Sequence, residues 1–306
     1  MYASGLVRVA VPATSANLGP GFDALGLALA LEDEVSARIG DAGVHVTVTG
    51  EGAGEVPAGP EHLIVRTMLR TFAALGLPAP DGLELTCHNR IPHARGLGSS
   101  SAAIVAGILL ARELAGCSEA DLDALHLAAE IEGHPDNVAP CLLGGFTIAW
   151  TGPDGARAVR LDPSADVRPT VFIPETPGLT AQAREALPKE VPHRDAAFNA
   201  ARSALLVHAL TVDPALLLEA TEDRLHQPYR APGMPETAAL LRDLRERHVP
   251  ACVSGAGPSV VAFAPPEGID PPPGWCARSL SCSVTGARIL SRRHAGGDPV
   301  AAGPSS

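Results

Sequence analysis

The sequence predicts an α+β protein with two domains. Its 306 residues are about twice the usual length of a single domain. Segments with the two-residue period of strands alternate with segments with helical periodicity. Between residues 151 and 169 the chain becomes rich in turn-forming residues, which is typical of a domain boundary. We therefore predict domains at 1–160 and 161–306, with a disordered tail from about residue 294.

The first domain should begin with a strand, because Val7, Val9 and Val11 alternate with other residues. The following stretch, ATSANLGPGFDALG, is too irregular for a helix. VSARIG and VHVTVTG predict two short strands, and HLIVRTMLRTFAALG predicts a helix that ends at Gly76. GLELTCHNRIP predicts a strand that leads directly into a glycine-rich loop.

After that loop, SSAAIVAGILLARELAG predicts a helix that serines can cap and that ends at Gly116. SEADLDALHLAAEIEG predicts a second helix with Ser118 as its N-cap. The order strand, glycine loop, helix brings free backbone N–H groups and the positive end of a helix dipole to one point. Such a point binds anions.

The second domain should contain a strand in PTVFIP and helices in DAAFNAARSALLVHAL, PALLLEATEDRLHQ and PETAALLRDLRERH. ACVSGAGPSVVAFAP predicts a strand, a glycine turn and another strand. This alternation of elements indicates a ferredoxin-like layering.

Composition excludes several classes of function. The formal net charge of -11, without a basic cluster, argues against nucleic-acid binding. We see neither a signal peptide nor an apolar run of about 20 residues, so we expect a cytoplasmic protein without a membrane span. The six cysteines form no C-x-x-C pair. We expect reduced and buried thiols rather than a zinc or redox site.

The loop IPHARGLGSSSAAIVAG resembles a backbone cradle for phosphate, yet it contains no lysine. The chain's one lysine, Lys189, has no glycine loop around it, which excludes a Walker-type site. Almost all positive charge is arginine, which suits fixed recognition of carboxylate or phosphate.

Three segments together carry a family resemblance: PATSANLGPGFDALG, PHARGLGSSSAA and CVSGAGPSVVAF. Each alone is compatible with a tight turn. In this order they resemble the GHMP kinase superfamily, from about Val7 to Arg292. The resemblance implies an N-terminal domain like domain 2 of ribosomal protein S5, a ferredoxin-like C-terminal domain, and use of ATP with Mg²⁺. EGHPDNVAPCLLGGF and QPYRAPGMPE, with Asn17 and Asp23, resemble the homoserine kinase branch, which phosphorylates the side-chain hydroxyl of L-homoserine.

The resemblance also implies a nucleotide site in the glycine loop and a metal site beside it. Amides from Leu97 through Ser101 can cradle phosphate oxygens, because two glycines let the backbone approach. The nucleotide residues implied are Pro92, Arg95, Gly96, Leu97, Gly98, Ser99, Ser100, Ser101 and Ala102. For Mg²⁺ we expect Ser100 and Glu130, with Glu132 as the alternative, since both glutamates cannot face the same way on one helix. Both could also be surface acids.

For the acceptor, the resemblance implies a carboxylate clamp of Arg184 and Arg230. Asp23 and Asn17 would receive the ammonium group or orient the hydroxyl, with His134 and Asn137 nearby. Thr180 matches a family position near the transferred phosphate. The residues implied in catalysis are Asn137, Thr180 and Asp23. We expect that no side chain fully deprotonates the hydroxyl. Loss of the chemical step in Asp136→Asn, with both substrates still bound and the fold intact, would contradict this.

Other functions stay open at this point. Another small alcohol, such as threonine, mevalonate or a sugar, could be the acceptor. A catalytically silent nucleotide-binding regulator is an alternative from a different class. His62 stands where related sequences often carry an asparagine near the adenine. The resemblance allows a homodimer, and the sequence does not reveal feedback inhibition by threonine.

Overall fold

The computed structural model describes residues 2, 3, 5–178, 180–264 and 269–294, without the side chains of residues 180, 181, 293 and 294. The predicted tail from about residue 294 lies almost wholly outside the described residues. Two sheets and nine α-helices occupy the described ranges, which confirms the α+β class.

The strands are β1 (Gly5–Ala16), β2 (Leu25–Ile39), β3 (Gly43–Gly50), β4 (Gly82–Asn89), β5 (Phe146–Gly152), β6 (Gly155–Leu161), β7 (Thr170–Pro174), β8 (Ala251–Val253), β9 (Val260–Ala262), β10 (Trp275–Ser279) and β11 (Arg288–His294). The helices are α1 (Leu63–Ala74), α2 (Ser99–Leu114), α3 (Ala124–Glu132), α4 (Pro135–Leu143), α5 (Thr180–Glu185), α6 (His193–Thr211), α7 (Leu217–Ala220), α8 (Gln227–Arg230) and α9 (Pro235–Glu246). None of these helices combines the length and apolarity needed to cross a bilayer.

The first sheet has seven strands in the order β11-β1-β2-β4-β3, with β5 paired to β2 and β6 paired to β5. The β3–β4 pair is parallel and is connected through α1, whereas the other pairs are antiparallel. The second sheet has four antiparallel strands in the order β10-β7-β9-β8. Counted along the chain, this order is fourth, first, third, second, which is that of a ferredoxin-like sheet.

Helix α2 lies in the centre of the first domain, and 13 of its 16 residues are buried. It packs against α1, α3, α4 and β1. Gly107 lets α2 cross α1 closely, because a Cβ there would lie 2.8 Å from the Cβ of Thr67 and 2.9 Å from the carbonyl oxygen of Ile64. The loop before α2 is therefore held by a buried helix rather than by a surface element.

Several predicted elements of the first half are confirmed, namely α1, α2, β3 and β4. The first strand extends to Ala16 and β2 begins at Leu25, so both strands are longer than predicted. The Ser118 prediction is wrong. Ser118 caps a 3₁₀ turn at Glu119–Asp121, and α3 starts only at Ala124, where the carboxylate of Asp123 accepts the N–H of His126.

In the second half, β7, α6, α9 and the β8–β9 pair are confirmed. The single helix predicted through PALLLEATEDRLHQ is wrong, because the segment holds a 3₁₀ turn, α7, a bend, and then the start of α8. The side chain of Asp223 interrupts it by accepting the backbone N–H groups of Leu225, His226 and Gln227. Aspartate competes with helical hydrogen bonding in this way.

The predicted end of the second domain needs correction, because the chain returns to the first sheet after the ferredoxin-like unit. Strand β6 belongs to the first sheet and ends at Leu161. Strand β11 returns to that sheet and pairs with β1. The ferredoxin-like unit therefore lies between two strands of the first sheet instead of running to the end of the chain.

We expect that a chain ending at residue 287 is less stable than one ending at residue 294. The shorter chain lacks β11, whose six paired residues cover the edge of β1. Each lost ladder hydrogen bond contributes about 0.5–1.5 kcal/mol, so the free energy of unfolding should fall by at least about 2 kcal/mol. Urea unfolding of the two chains measures this, and equal free energies would contradict it.

Candidate active site

Three segments far apart in the chain meet at the N-terminus of α2. They are the turn after β1, the loop before α2, and the turn between β8 and β9. The hydroxyl of Ser254 donates to the carbonyl of Gly96 at 2.7 Å. The amide of Asn17 donates to the carbonyl of Gly255 at 2.8 Å. These are the three segments on which the family resemblance depends.

Glycine is required in the loop because the backbones approach closely. Gly96 and Gly98 both have φ of +70°. A Cβ at Gly96 would overlap the carbonyl oxygen of Ser254, and one at Gly98 would overlap the hydroxyl of Thr14. The glycines therefore serve the contact between the segments, and larger residues would be strained in this conformation as well.

The first turn of α2 has backbone N–H groups that no side chain caps. Its N-cap is Gly98, and no side chain caps the helix, so the expectation that a serine caps it is wrong. Ser99, Ser100 and Ser101 are instead the first three helical residues. Their N–H groups have no acceptor within the helix, and the helix dipole adds positive potential there. Such a helix end is suited to an anion.

Two cavities flank this helix end. The His62 cavity, of about 270 Å³, is lined by His62, Asn89 and His93 among others. The Asp23 cavity, of about 250 Å³, is lined by charged and amide side chains. Ser99 and Ser100 line both cavities. An anion at the helix end would thus lie between the two. The site residues of the Asp23 cavity are Asn17, Asp23, Glu132, His134, Asp136, Asn137, Arg184 and Arg230.

The turn after β1 is held in a strained conformation. Asn17, Leu18 and Asp23 have φ of 65°, 51° and 55°, which is uncommon for residues other than glycine. The carbonyl oxygen of the Asn17 side chain accepts the N–H of Asp23 at 3.0 Å. Both ends of the Asn17 amide are therefore engaged, and this side chain positions Asp23.

Two arginines, Arg184 and Arg230, also line the Asp23 cavity. Arg184 forms a bidentate ion pair with Asp23, at 2.8 and 2.9 Å. Arg230 is 3% exposed, and its hydrogen bonds go to the carbonyls of Ala183 and Gly255 and to His226 Nδ1. Burial lowers the pKa of Arg230, and the charge of Arg184 lowers it further. Within the described residues no carboxylate lies within 4.0 Å of Arg230, so it is a buried cation suited to an anionic ligand.

Residues at the junction of α3 and α4 line another part of the Asp23 cavity. The side-chain carbonyl of Asn137 accepts the hydroxyl hydrogen of Thr14 at 2.8 Å, which leaves its NH₂ group as the donor available to the cavity. His134 Nδ1 lies 2.6 Å from the carboxylate of Asp136, which is 2% exposed. Burial alone would lower the pKa of His134, but the hydrogen bond and charge of Asp136 outweigh it, so that pKa is raised.

The acidic residue beside the loop is Glu132. Its Oε1 accepts the hydroxyls of Ser100 at 2.7 Å and of Ser101 at 2.8 Å. Glu130, which we expected here, points away and lies 3.8 Å from Arg70 and 3.7 Å from His126. The preference for Glu130 is therefore corrected, because only Glu132 has the helical phase that faces the loop.

Comparison with known proteins agrees with this arrangement. A family model described as "GHMP kinases N terminal domain" matches residues 62–145, and one described as "GHMP kinases C terminal" matches residues 206–270. A homoserine kinase of Streptomyces coelicolor is 55% identical over 297 residues, which cover 94% of this chain and 96% of that protein. One from Clavibacter michiganensis is 56% identical over 86% of this chain and 84% of that protein. The chain belongs to the homoserine kinase family.

A crystal structure supports the same family assignment. The homoserine kinase from Cytophaga hutchinsonii matches with a TM-score of 0.80 and 28% identity, over 94% of this chain and 98% of that one. The two-domain GHMP kinase fold implied by the sequence is thereby confirmed.

Three other residues predicted in this homoserine kinase family member, Pro92, Arg95 and Leu97, line neither cavity. Pro92 and Leu97 are buried. The guanidinium of Arg95 donates to the carbonyls of His93 at 2.6 Å and Pro174 at 3.3 Å, and to that of Glu175. Arg95 thus ties the loop to the end of β7. Thr180 begins α5, but its side chain lies outside the described residues.

Sequence reasoning missed several supporting residues. Asp33 is 5% exposed and accepts the backbone N–H groups at residues 90 and 91, which fixes the entry to the glycine loop. His226 holds Arg230 through Nδ1, while its Nε2 donates to the carbonyl of Gly19 at 2.7 Å. His226 precedes the motif QPYR directly, so a local signal existed for it. Nothing in the sequence around Asp33 points to this role.

The environment of His62 disfavours a charged ring. It is 6% exposed, and its Nδ1 has no hydrogen-bond partner within the described residues. Burial lowers its pKa, and the charge of nearby His93 lowers it further. His62 is thus favoured as a neutral ring against the cavity that it lines.

We expect Asp136→Asn to reduce stability more at pH 6 than at pH 9. The folded-state pKa of His134 lies above its usual value of 6.5. Its contribution to stability is therefore fully present below pH 6.5 and is lost as the pH rises through the folded-state pKa. Asparagine removes the charge that raises this pKa. Thermal unfolding of both proteins at the two pH values measures the effect, and a difference that does not change with pH would contradict it.

Proposed function

We propose that this protein transfers the γ-phosphoryl group of ATP to the side-chain hydroxyl of L-homoserine, forming O-phospho-L-homoserine. The observation that carries the proposal is the pair of cavities that share Ser99 and Ser100 at the N-terminus of α2. A triphosphate at this helix end would reach from the His62 cavity to the acceptor in the Asp23 cavity. The names of the relatives at 55% and 56% identity support the same reaction.

Backbone amides would form most of the ATP site. The amides of Ser99, Ser100 and Ser101 would bind phosphate oxygens and thereby replace the lysine of a Walker loop. The base would lie against His62, whose unpaired Nδ1 can take part in a hydrogen bond with it. Amide dipoles fixed by a buried helix need no rearrangement as charge develops on the phosphoryl oxygens.

The residues beside the loop also fit Mg²⁺. This ion prefers oxygen ligands and commonly uses one or two carboxylates together with substrate phosphates. Glu132 and the hydroxyl of Ser100, 2.7 Å apart, supply such a set next to the helix end. When bound there, Mg²⁺ would neutralise charge on the phosphates. We therefore propose Ser100 and Glu132 as its protein ligands.

The acceptor side matches an amino acid with both of its charges. Arg230, a buried cation, would bind the carboxylate together with Arg184, and Asp23 would bind the ammonium group. A sugar or a simple alcohol would leave Arg230 without an anion. Mevalonate would leave Asp23 without a cation. The charges therefore favour a zwitterion.

The reaction does not require a strong base in this cavity. The amide of Asn137 can donate to the acceptor oxygen but cannot take its proton. The carboxylate of Asp136 is 2% exposed and bonded to His134. We propose that Asn137 orients the hydroxyl, and that positioning and charge neutralisation supply most of the acceleration. Thr180 stays a predicted participant, and a cytoplasmic location and a homodimer stay predictions.

The direct test is a coupled assay of ADP formation with ATP and a panel of acceptors. We expect rapid turnover with L-homoserine and much slower turnover with threonine, mevalonate and a sugar. Threonine carries the same charges, so it tests the shape of the site. Preferred turnover of another alcohol would contradict the proposed acceptor. Nucleotide binding without turnover of any alcohol would favour the silent regulator.

We expect Glu132→Gln to lower kcat by at least about 100-fold, because it removes charge that holds the cation at the transferred phosphate. The Mg²⁺ concentration needed for half-maximal rate should also rise. Glu130→Gln is the matched control, since it removes a carboxylate of the same helix that faces Arg70, and its kcat should stay close to that of the unaltered protein. Equal losses in the two variants would contradict the assignment.

A further inference from the structure

The two groups proposed to bind the opposite charges of homoserine bind each other in the structure. Arg184 Nη1 lies 2.9 Å from Asp23 Oδ2, and Arg184 Nη2 lies 2.8 Å from Asp23 Oδ1. Both residues line the same cavity of about 250 Å³. A ligand cannot use either group fully unless this ion pair separates.

The two partners are held by different elements of the fold. Asp23 is fixed in its turn by the side chain of Asn17. Arg184 belongs to the six-residue helix α5, and the preceding carbonyl, that of Ala183, accepts from Arg230 at 3.0 Å. Separation of the pair would therefore leave Arg184 beside Arg230, the buried cation that has no carboxylate partner among the described residues.

We propose that the Asp23–Arg184 pair is a charge-exchange gate that selects zwitterionic acceptors. This inference rests on the proposed function. A zwitterion replaces Arg184 at Asp23 with its ammonium group, and it replaces Asp23 at Arg184 with its carboxylate. Both protein charges are then paired again. An acceptor with one charge leaves one member of the separated pair without a partner.

The gate makes selection depend on both charges jointly. An anionic alcohol must separate the pair and leaves Asp23 unpaired, while a cationic alcohol leaves Arg184 unpaired. An unpaired charge in a partly buried site is unfavourable. If the two charges were recognised independently, a ligand would lose affinity separately for each charge that it lacks. With the gate, both singly charged ligands also bear the cost of the broken ion pair.

The test measures binding by calorimetry in the presence of MgADP, for L-homoserine, for its anionic analogue 4-hydroxybutyrate and for its cationic analogue homoserine amide. The variants are Asp23→Asn and Arg184→Gln. Both should bind homoserine at least about tenfold more weakly, as each loses a charged contact. Asp23→Asn should bind 4-hydroxybutyrate about three- to tenfold more tightly, because Arg184 is already free. Arg184→Gln should bind homoserine amide more tightly by a similar factor.

Three comparisons keep the test decisive. Asparagine readily adopts the left-handed conformation of residue 23, and thermal unfolding checks that each variant is folded. Asp136→Asn removes a negative charge from the same cavity but leaves the Asp23–Arg184 pair intact, so it should strengthen 4-hydroxybutyrate binding less than Asp23→Asn does. The double variant Arg38→Gln with Glu84→Gln removes an exposed ion pair between β2 and β4, and it should change none of the three affinities.

The gate is overturned if either variant at the pair fails to strengthen binding of its singly charged ligand. It is also overturned if Asp136→Asn strengthens 4-hydroxybutyrate binding as much as Asp23→Asn does. The proposed function is tested separately by ADP formation with homoserine in the unaltered protein. Turnover of homoserine without these gains would overturn the gate alone.

Discussion

The close approach of three backbone segments at the start of α2 is the constraint on which the site depends. Two left-handed glycines let the loop touch the end of β1 and the turn between β8 and β9. Because α2 is buried along most of its length, the core fixes the direction of its unpaired amides. The anion site is thus built from tertiary packing, and it needs no lysine.

The charged groups around the start of α2 differ between the phosphate side and the acceptor side. The proposed phosphate side would rely on neutral amides and on the acid Glu132, which is suited to a divalent cation. The proposed acceptor side holds two arginines together with the half-buried Asp23 and the buried Asp136. The centre of the Phe22 ring lies 5.7 Å from the guanidinium carbon of Arg184 and 5.5 Å from that of Arg230. This ring helps two like charges to stay near each other.

Local signals in the sequence were sufficient for the loop, for α2, and for β7, α6, α9 and the β8–β9 pair of the second half. They failed where a non-local partner decides the outcome. Helical spacing shows that Glu130 and Glu132 face different ways, but only the packing of α3 shows which one meets Ser100. The ion pair between Asp23 and Arg184 joins residues 161 positions apart. The short β11 strand is recognisable only through its pairing with β1.

The return of β11 to the first sheet has a consequence for biosynthesis. On the ribosome, the N-terminal part of the chain emerges first, yet the strand that completes its sheet is the last described element to be made. The first sheet is therefore completed only after the ferredoxin-like unit has left the exit tunnel. The order of synthesis thus couples the folding of the first sheet to that of the ferredoxin-like unit.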